Sequence, residues 1–207
     1  MSKDHPLFII GAGGHAKVVA NAALKAGLNL EGFLSDSADD IGKTIFNLPV
    51  RDRQSALKRI AAFHVAIGSN NIRAHLSEEM VKAGWVCETI IHPSAAIGCD
   101  VKIGTGTFIG PQAVLNPGAV LGNYCIINSG AIVEHDCQIA EAVHLSPRVA
   151  LGGHVAIGEN SWVGIGATVR DRAKIGAEVM IGAGAVVVSD IDGPGTAYGV
   201  PAKLRPC

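Results

Sequence analysis

An aliphatic residue stands at every sixth position over the C-terminal half of this chain, and this period limits the fold more than any other feature. From Ile91 to Val187 each sixth residue is Ile, Leu or Val, and from Ala95 onward the residue two places before each of them is small or β-branched. Glycine often follows the aliphatic residue, as at Gly98 and Gly104. A period of six is typical of parallel β-helices. We therefore predict such a β-helix over residues 89–207.

Stacked coils follow from this period. In a β-helix of this class three hexapeptides form one triangular coil, so residues 18 apart lie on adjacent coils at about 4.7 Å. The polar tail, residues 189–207, is expected to turn across the last coil as a C-terminal cap. With only 4 % aromatic residues, a prism lined by aliphatic side chains is expected to associate side by side with other copies.

The charge and cysteine content exclude several classes of protein. Lys and Arg number 17 against 18 acidic residues, without a basic run, so we expect neither a nucleic-acid partner nor a membrane-surface partner. The first apolar run is too short for a signal peptide, and later apolar stretches are interrupted, so a cytoplasmic location is predicted. The five cysteines form no CxxC pair. No ligand-like grouping with other residues is expected for five of the histidines, His5, His64, His75, His92 and His154. We predict no metal site.

The N-terminal region, residues 1–88, has a different pattern. Buried strands alternate with helical stretches, which predicts a small βαβαβ unit, a Rossmann-like half domain of the α/β class. The predicted strands are 7–10, 29–34 and 63–68, and the predicted helices are 15–26, 52–61 and 70–83.

A glycine-rich turn closes the first predicted strand. In GAGGHA, Gly11, Gly13 and Ala16 satisfy the G-x-G-x-x-G/A fingerprint, and Asp36 follows about 20 residues later. Because a dinucleotide spans two such halves and only one is present, a mononucleotide or the diphosphate of a nucleotide sugar fits better than NAD. A tight turn without a ligand is the alternative.

Three segments together carry a resemblance that covers nearly the whole chain. These are the opening GAGGHAK, the repeat segment NSGAIVEHDC at 128–137 and the closing GVPAK at 199–203. Their order resembles bacterial sugar acetyltransferases, which include sialic acid O-acetyltransferase-like proteins and N-acetyltransferases of nucleotide-linked 4-amino-4,6-dideoxy sugars for glycan or O-antigen synthesis. The resemblance implies a left-handed β-helix, acetyl-CoA as co-substrate, and a homotrimer with active sites between subunits.

The same resemblance implies roles for individual residues. The catalytic base and its acidic neighbour fall on His135 and Asp136, and a second histidine near the thioester falls on His144. The acetyl-CoA cleft is implied at Gly153, Ile165 and Ala183, the last standing in place of an expected glycine. The nucleotide-sugar site is implied at Gly13, Gly14, His15, Asp36, Gly68 and Asn128, beside Gly11, while Ser35 stands where some relatives are acidic.

The repeat frame supports part of this chemistry independently. His135 is the third residue of its hexapeptide, so it points outward near a corner, where Asp136 or Glu134 can orient it. One coil onward lies Gly153, whose N–H is placed to stabilise a tetrahedral oxyanion. His144 is expected on the surface, facing Trp162 one coil on.

An acetyl-cysteine intermediate is disfavoured, because Cys125 and Cys137 occupy core-facing repeat positions. The leading hypothesis is N-acetylation of a nucleotide-linked amino sugar, and the alternative is O-acetylation of sialic acid or a related sugar. A non-catalytic trimeric scaffold and an NAD-dependent oxidoreductase are further alternatives, the first opposed by the His135–Asp136 pair and the second by the half-size domain.

Overall fold

A computed structural model describes residues 6–56 and 61–205. It divides into two compact units, Met1–Pro93 and Ser94–Cys207. The strand Ile90–Ile91 follows the predicted boundary at 88. It contacts the first helix of the N-terminal unit, and Ile90 is fully buried.

The N-terminal unit is an α/β sheet with strand order β3-β4-β2-β1-β5-β6. Among the described residues, its strands pair in parallel except in the β3–β4 hairpin. Its elements are β1 (Leu7–Ile10), α1 (Gly14–Lys25), β2 (Leu30–Ser35), β3 (Thr44–Ile45), β4 (Leu48–Asp52), α2 (Arg53–Ala56), β5 (Ala62–Val65), α3 (Asn70–Lys82), β6 (Val86–Cys87) and β7 (Ile90–Ile91).

Local sequence explains these elements. All four residues of β1 are buried, as expected for a central parallel strand. Helix α1 buries Ala16, Val19, Ala20 and Ala23, the spacing of one helical face. The predicted helix at 52–61 is present as α2 at its start, and residues 57–60 lie outside the described part of the chain.

The C-terminal unit is a parallel β-helix whose short strands, mostly of two residues, form three sheets. Sheet I follows the order β25-β24-β22-β19-β16-β13-β10, sheet II the order β23-β20-β17-β14-β11-β8, and sheet III the order β21-β18-β15-β12-β9. The repeat strands are β8 (Ala96–Ile97), β9 (Lys102–Ile103), β10 (Phe108–Ile109), β11 (Val114–Leu115), β12 (Val120–Leu121), β13 (Ile126–Ile127), β14 (Ile132–Val133), β15 (Gln138–Ile139), β16 (His144–Leu145), β17 (Ala150–Leu151), β18 (Ala156–Ile157), β19 (Trp162–Val163), β20 (Thr168–Val169), β21 (Lys174–Ile175), β22 (Val179–Ile181) and β23 (Val186–Val187).

Residues 18 apart are paired on adjacent coils, as the period predicts. Ile127 pairs with Leu145, and Leu145 pairs with Val163. The aliphatic series and the small residues before it fill the interior, whereas Ile97 on the edge strand β8 is 41 % exposed. Together with the α/β unit, this arrangement confirms the predicted fold class.

Polar residues at interior positions are satisfied by backbone carbonyls of the next coil. Ser161 donates to the carbonyl of Gly176 at 2.7 Å, and Thr107 donates to that of Gly122 at 3.0 Å. The Cys137 thiol contacts the Gly152 carbonyl at 3.2 Å. These contacts let small polar side chains replace alanine inside the prism without leaving a buried group unsatisfied.

The tail after the last repeat continues sheet I. Strand β24 (Gly195–Gly199) pairs in parallel with β22, and β25 (Ala202–Arg205) folds back antiparallel on β24. The tail expected to cap the prism therefore forms a hairpin at the end of this sheet.

Candidate active site

The predicted catalytic pair lies at the edge between sheets II and III, in the turn joining β14 to β15. Asp136 has left-handed backbone geometry, with φ of 59°. The Nδ1 atom of His135 lies 2.9 Å from Oδ2 of Asp136, and both side chains are 53 % exposed. Asp136, rather than Glu134, is thus the carboxylate that orients the imidazole.

This hydrogen bond fixes the chemistry of the imidazole. The bond to His135 holds the pKa of Asp136 below its ordinary value, with the nearby His154 adding to the effect. An ionised carboxylate only accepts hydrogen bonds, so Nδ1 of His135 donates and Nε2 keeps its lone pair. His135 therefore presents a basic nitrogen at an accessible edge.

Gly153 lies one coil beyond His135 and contacts its ring directly. A Cβ atom added to Gly153 would lie 2.6 Å from Nε2 of His135 and 2.7 Å from its Cε1. Only glycine leaves room for the imidazole in this position. Among the described residues, the Gly153 N–H donates to no backbone carbonyl.

His154 joins the pair from the next coil, a grouping that we did not predict. Its Nε2 lies 3.7 Å from the same Oδ2 of Asp136. Its ring meets the His135 ring edge-on, with centroids 5.1 Å apart and an interplanar angle of 87°. The expectation that His154 belongs to no group was wrong, because its relation to Asp136 spans one full coil.

His144 belongs to a separate cluster on sheet I. It stacks on Trp162 with ring centroids 4.7 Å apart, and its Nε2 lies 3.4 Å from Nδ2 of Asn128. Trp162 in turn donates to Ser146 Oγ at 2.8 Å. His144 is only 6 % exposed, so its expected surface position was wrong, because the indole on the adjacent coil covers it.

The residues implied for acetyl-CoA do not meet within one chain. Ile165 and Ala183 are exposed and lie on adjacent coils at the edge between sheets I and II. Asn128 lies at that same edge, and His144 lies on sheet I beside it. Gly153 and His135 lie at the other edge of sheet II, so the predicted residues fall into two groups flanking this sheet.

The residues implied for the nucleotide sugar gather at one end of the α/β sheet. Gly13 and Gly14 follow β1 and begin α1, Asp36 follows β2, and Gly68 follows β5. Added Cβ atoms at these three glycines would meet nothing within 4 Å. No side chain of the described residues caps α1, so its first N–H groups face a region open to an anion.

Gly11 and His15 have different local roles. Gly11 has φ of 113°, and a Cβ there would lie 3.0 Å from the Ala66 carbonyl, so the close approach of β1 and β5 requires glycine. Burial, together with the smaller effect of the Arg73 charge, lowers the pKa of His15 to about 4. His15 is therefore neutral near pH 7.

Asp36 is held by an ion pair that the sequence did not indicate. Nε of Arg53 lies 2.9 Å from Asp36 Oδ1, and Nη1 of Arg53 lies 2.7 Å from Glu79 Oε1. Arg53 is 5 % exposed whereas Asp36 is about half exposed. The buried guanidinium thus positions a carboxylate that still reaches solvent.

An open cleft of about 390 Å³ adjoins the glycine-rich turn within the N-terminal unit. Its lining includes Ala12 of the turn, Lys17 of α1, and Lys43 and Phe46 of the β3–β4 region. This volume lies within the range of small-ligand sites. The lining also includes Asp40, whose Oδ1 lies 3.4 Å from Nζ of Lys43, so the cleft carries charges of both signs beside the N-terminus of α1.

Comparisons with known proteins agree with this architecture. Residues 6–80 match the PglD N-terminal domain, and residues 154–189 match the bacterial transferase hexapeptide (six repeats). A curated relative, GDP-perosamine N-acetyltransferase of Escherichia coli, is 33 % identical over 122 residues, which cover 59 % of this chain and 55 % of that protein. The chain therefore matches about half the length of this relative.

Two solved structures match almost end to end. A perosamine N-acetyltransferase from Caulobacter crescentus, solved as a histidine-to-asparagine variant with CoA and GDP-perosamine, is 35 % identical at a TM-score of 0.93, covering 98 % of this chain and 97 % of that chain. The acetyltransferase domain of PglB from Neisseria gonorrhoeae, in complex with acetyl coenzyme A, is 36 % identical at a TM-score of 0.90, covering 97 % and 98 %. The chain belongs to the bacterial hexapeptide-repeat sugar acetyltransferases that carry a PglD-type N-terminal domain.

Proposed function

We propose that this protein is an acetyl-CoA-dependent N-acetyltransferase acting on a nucleotide-linked 4-amino-4,6-dideoxy sugar. The observation that carries the proposal is the His135–Asp136 pair, whose imidazole is held in one tautomer with its basic Nε2 against Gly153. The solved relatives named as perosamine N-acetyltransferases bind CoA and GDP-perosamine, which makes a GDP-linked amino sugar the first substrate to test.

The proposed reaction is a direct transfer. The acceptor nitrogen attacks the thioester carbonyl carbon while Nε2 of His135 removes its proton. A C–N bond forms, the tetrahedral intermediate collapses, and the C–S bond breaks to release the CoA thiolate. The proton on His135 then passes to the thiolate, which restores the base.

The Gly153 N–H is proposed to stabilise the oxyanion of this intermediate. Asp136 is proposed to stabilise the imidazolium that forms during the transfer. Both roles act only while charge develops, so they are expected in kcat more than in substrate binding.

A covalent acetyl-cysteine is not part of the proposal. Cys125 and Cys137 are both fully buried. Burial raises the pKa of the Cys137 thiol to about 11, so almost none of it is thiolate near neutral pH.

We further propose a homotrimer with the active site between subunits. The residues implied for acetyl-CoA and sugar binding lie in two groups on opposite edges of sheet II, His135 and Gly153 at one and Asn128, Ile165 and Ala183 at the other. A second subunit beside the first can complete the site by presenting the complementary edge.

No helix of the described residues is long and apolar enough to cross a bilayer. We propose a cytoplasmic enzyme because acetyl-CoA and nucleotide sugars are cytoplasmic substrates. The proposed product would serve surface-glycan or O-antigen synthesis.

The test is CoA release from acetyl-CoA by the purified protein, offered GDP-, UDP- and dTDP-linked 4-amino sugars and free sialic acid. Turnover on an amino sugar is expected, and His135→Ala should lower it by about 10²–10⁴-fold. His75→Ala, at an exposed position on α3, is the matched control and should retain full turnover. Activity on sialic acid alone would replace the proposal with O-acetylation, and inactivity on every acceptor would refute it.

A further inference from the structure

The cluster of His135, Asp136 and His154 has the composition of a transition-metal site. One potential ligand atom from each residue lies within 4.8 Å of the other two. Two imidazoles and a carboxylate are ligands that Zn²⁺ prefers, whereas Mg²⁺ and Ca²⁺ favour oxygen alone.

The separations around the shared carboxylate oxygen suit such an ion. Zinc at about 2.0–2.1 Å from each of two tetrahedral ligands places those ligands about 3.3 Å apart. Oδ2 of Asp136 lies 2.9 Å from Nδ1 of His135 and 3.7 Å from Nε2 of His154. The two measured separations bracket the required value, and the three side chains are 43–53 % exposed, so they have room to rotate toward an ion.

The backbone holds these ligands on adjacent coils. The His154 N–H donates to the His135 carbonyl at 2.9 Å. Asp136 and His154 both have φ of 59°, which places them at equivalent corners 18 residues apart. Three ligands on a fixed backbone leave a fourth position open to solvent, an arrangement common to reactive or exchangeable zinc sites.

We propose that His135, Asp136 and His154 bind Zn²⁺ or a similar divalent transition-metal ion, and that this binding switches off acetyl transfer. Metal binding follows from the cluster alone, whereas its inhibitory effect rests on the proposed function.

Inhibition follows from the tautomer of His135. In the metal-free site Nδ1 carries the proton and Nε2 carries the lone pair that acts as the base. A metal ion on Nδ1 takes that nitrogen's lone pair, so the single proton of the neutral imidazole must reside on Nε2. His135 then has no lone pair with which to accept the substrate proton.

The binding test uses the metal alone, without substrate. Calorimetric titration with ZnCl₂ and visible absorption of bound Co²⁺ are measured for the wild-type chain, His154→Gln and Cys99→Ser. We expect one ion per chain for the wild type, more than ~10-fold weaker binding for His154→Gln, and wild-type binding for Cys99→Ser, which removes an exposed thiol elsewhere. Equal zinc affinity in wild type and His154→Gln, or no saturable binding, would overturn the site.

The inhibition test follows acetylated product directly, because zinc also binds the CoA thiol that the reaction releases. Zinc is expected to abolish wild-type turnover, and EDTA to restore it. His154→Gln, compared with its own zinc-free rate, should need more than ~10-fold more zinc. Full turnover by zinc-loaded wild type would overturn the inhibitory role of the metal. Absence of turnover in the zinc-free enzyme would count against the proposed function, and the metal titration would then decide the binding site by itself.

Discussion

Replacing Gly153 with alanine tests how His135 is positioned. The new Cβ would lie 2.6, 2.7 and 3.2 Å from Nε2, Cε1 and Cδ2 of His135. Non-bonded carbon contacts are optimal near 3.5–4.0 Å, so the imidazole must move by about 1 Å. The ring is half exposed and can swing toward solvent, so the fold itself should tolerate the change.

The expected effect is on kcat. Misplacing a reacting group by about 1 Å costs roughly 10²-fold in rate, which corresponds to about 2.7 kcal/mol of transition-state stabilisation. Binding of acetyl-CoA and acceptor should change much less, because the displaced ring acts in the transition state.

The assay is steady-state kinetics of Gly153→Ala, His135→Ala and the double variant, with thermal unfolding to check the fold. If Gly153 acts through His135, the alanine should cost little in the double variant beyond the loss of the histidine. A single variant with wild-type kcat, or a full additional 10²-fold loss in the double variant, would refute this reasoning.

Asp136→Asn should lower kcat, because an amide does not stabilise the imidazolium, but by less than the removal of His135. Glu134→Gln should leave kcat unchanged. Equal losses of kcat in Asp136→Asn and Glu134→Gln would contradict the assignment of Asp136 from its 2.9 Å contact with His135. Cys137→Ala should retain turnover, measured by product formation, and an acetylated thiol detected by mass spectrometry would count against direct transfer. Burial lowers the pKa of His64 to about 4. As the pH falls below about 6.5, the unfolded chain therefore binds a proton at His64 before the folded chain does. The free energy of unfolding is expected to fall by on the order of 3 kcal/mol toward pH 4. Thermal unfolding of His64→Gln should depend less on pH over this range, and an unchanged dependence would exclude His64 as the cause.

The prism and the position of its candidate catalytic residue were predictable because both follow from one period. Interior aliphatic residues fix which side chains point inward, so His135 could be placed at an outer corner from sequence alone. The three central strands of the N-terminal sheet were predictable for a similar reason, since β1 is a continuous apolar run and most residues of β2 and β5 are buried.

The contacts between coils were less predictable because they depend on side-chain direction. His154 contacts Asp136, and Trp162 covers His144, from the adjacent coil. The period predicts on which coil each residue lies, but it does not predict the direction of its side chain. The Arg53–Asp36 pair depends on where the short helix α2 follows β4, and the two-residue strand β3 is too short to leave a pattern. Choosing Asp136 over Glu134 needed the left-handed turn at that corner.

The triangular coil also determines which changes of chain length this architecture tolerates between His135 and His154. Inserting or deleting 18 residues would return each later side chain to its own sheet. The insertion would separate the two histidines by a further coil, and the deletion would remove Asp136 and Gly153. A change of six residues would move every later side chain to the next sheet while keeping the aliphatic interior intact. Such a protein would still fold as a prism, but His154 would stand on another edge, so a length change can preserve the core while dismantling the site.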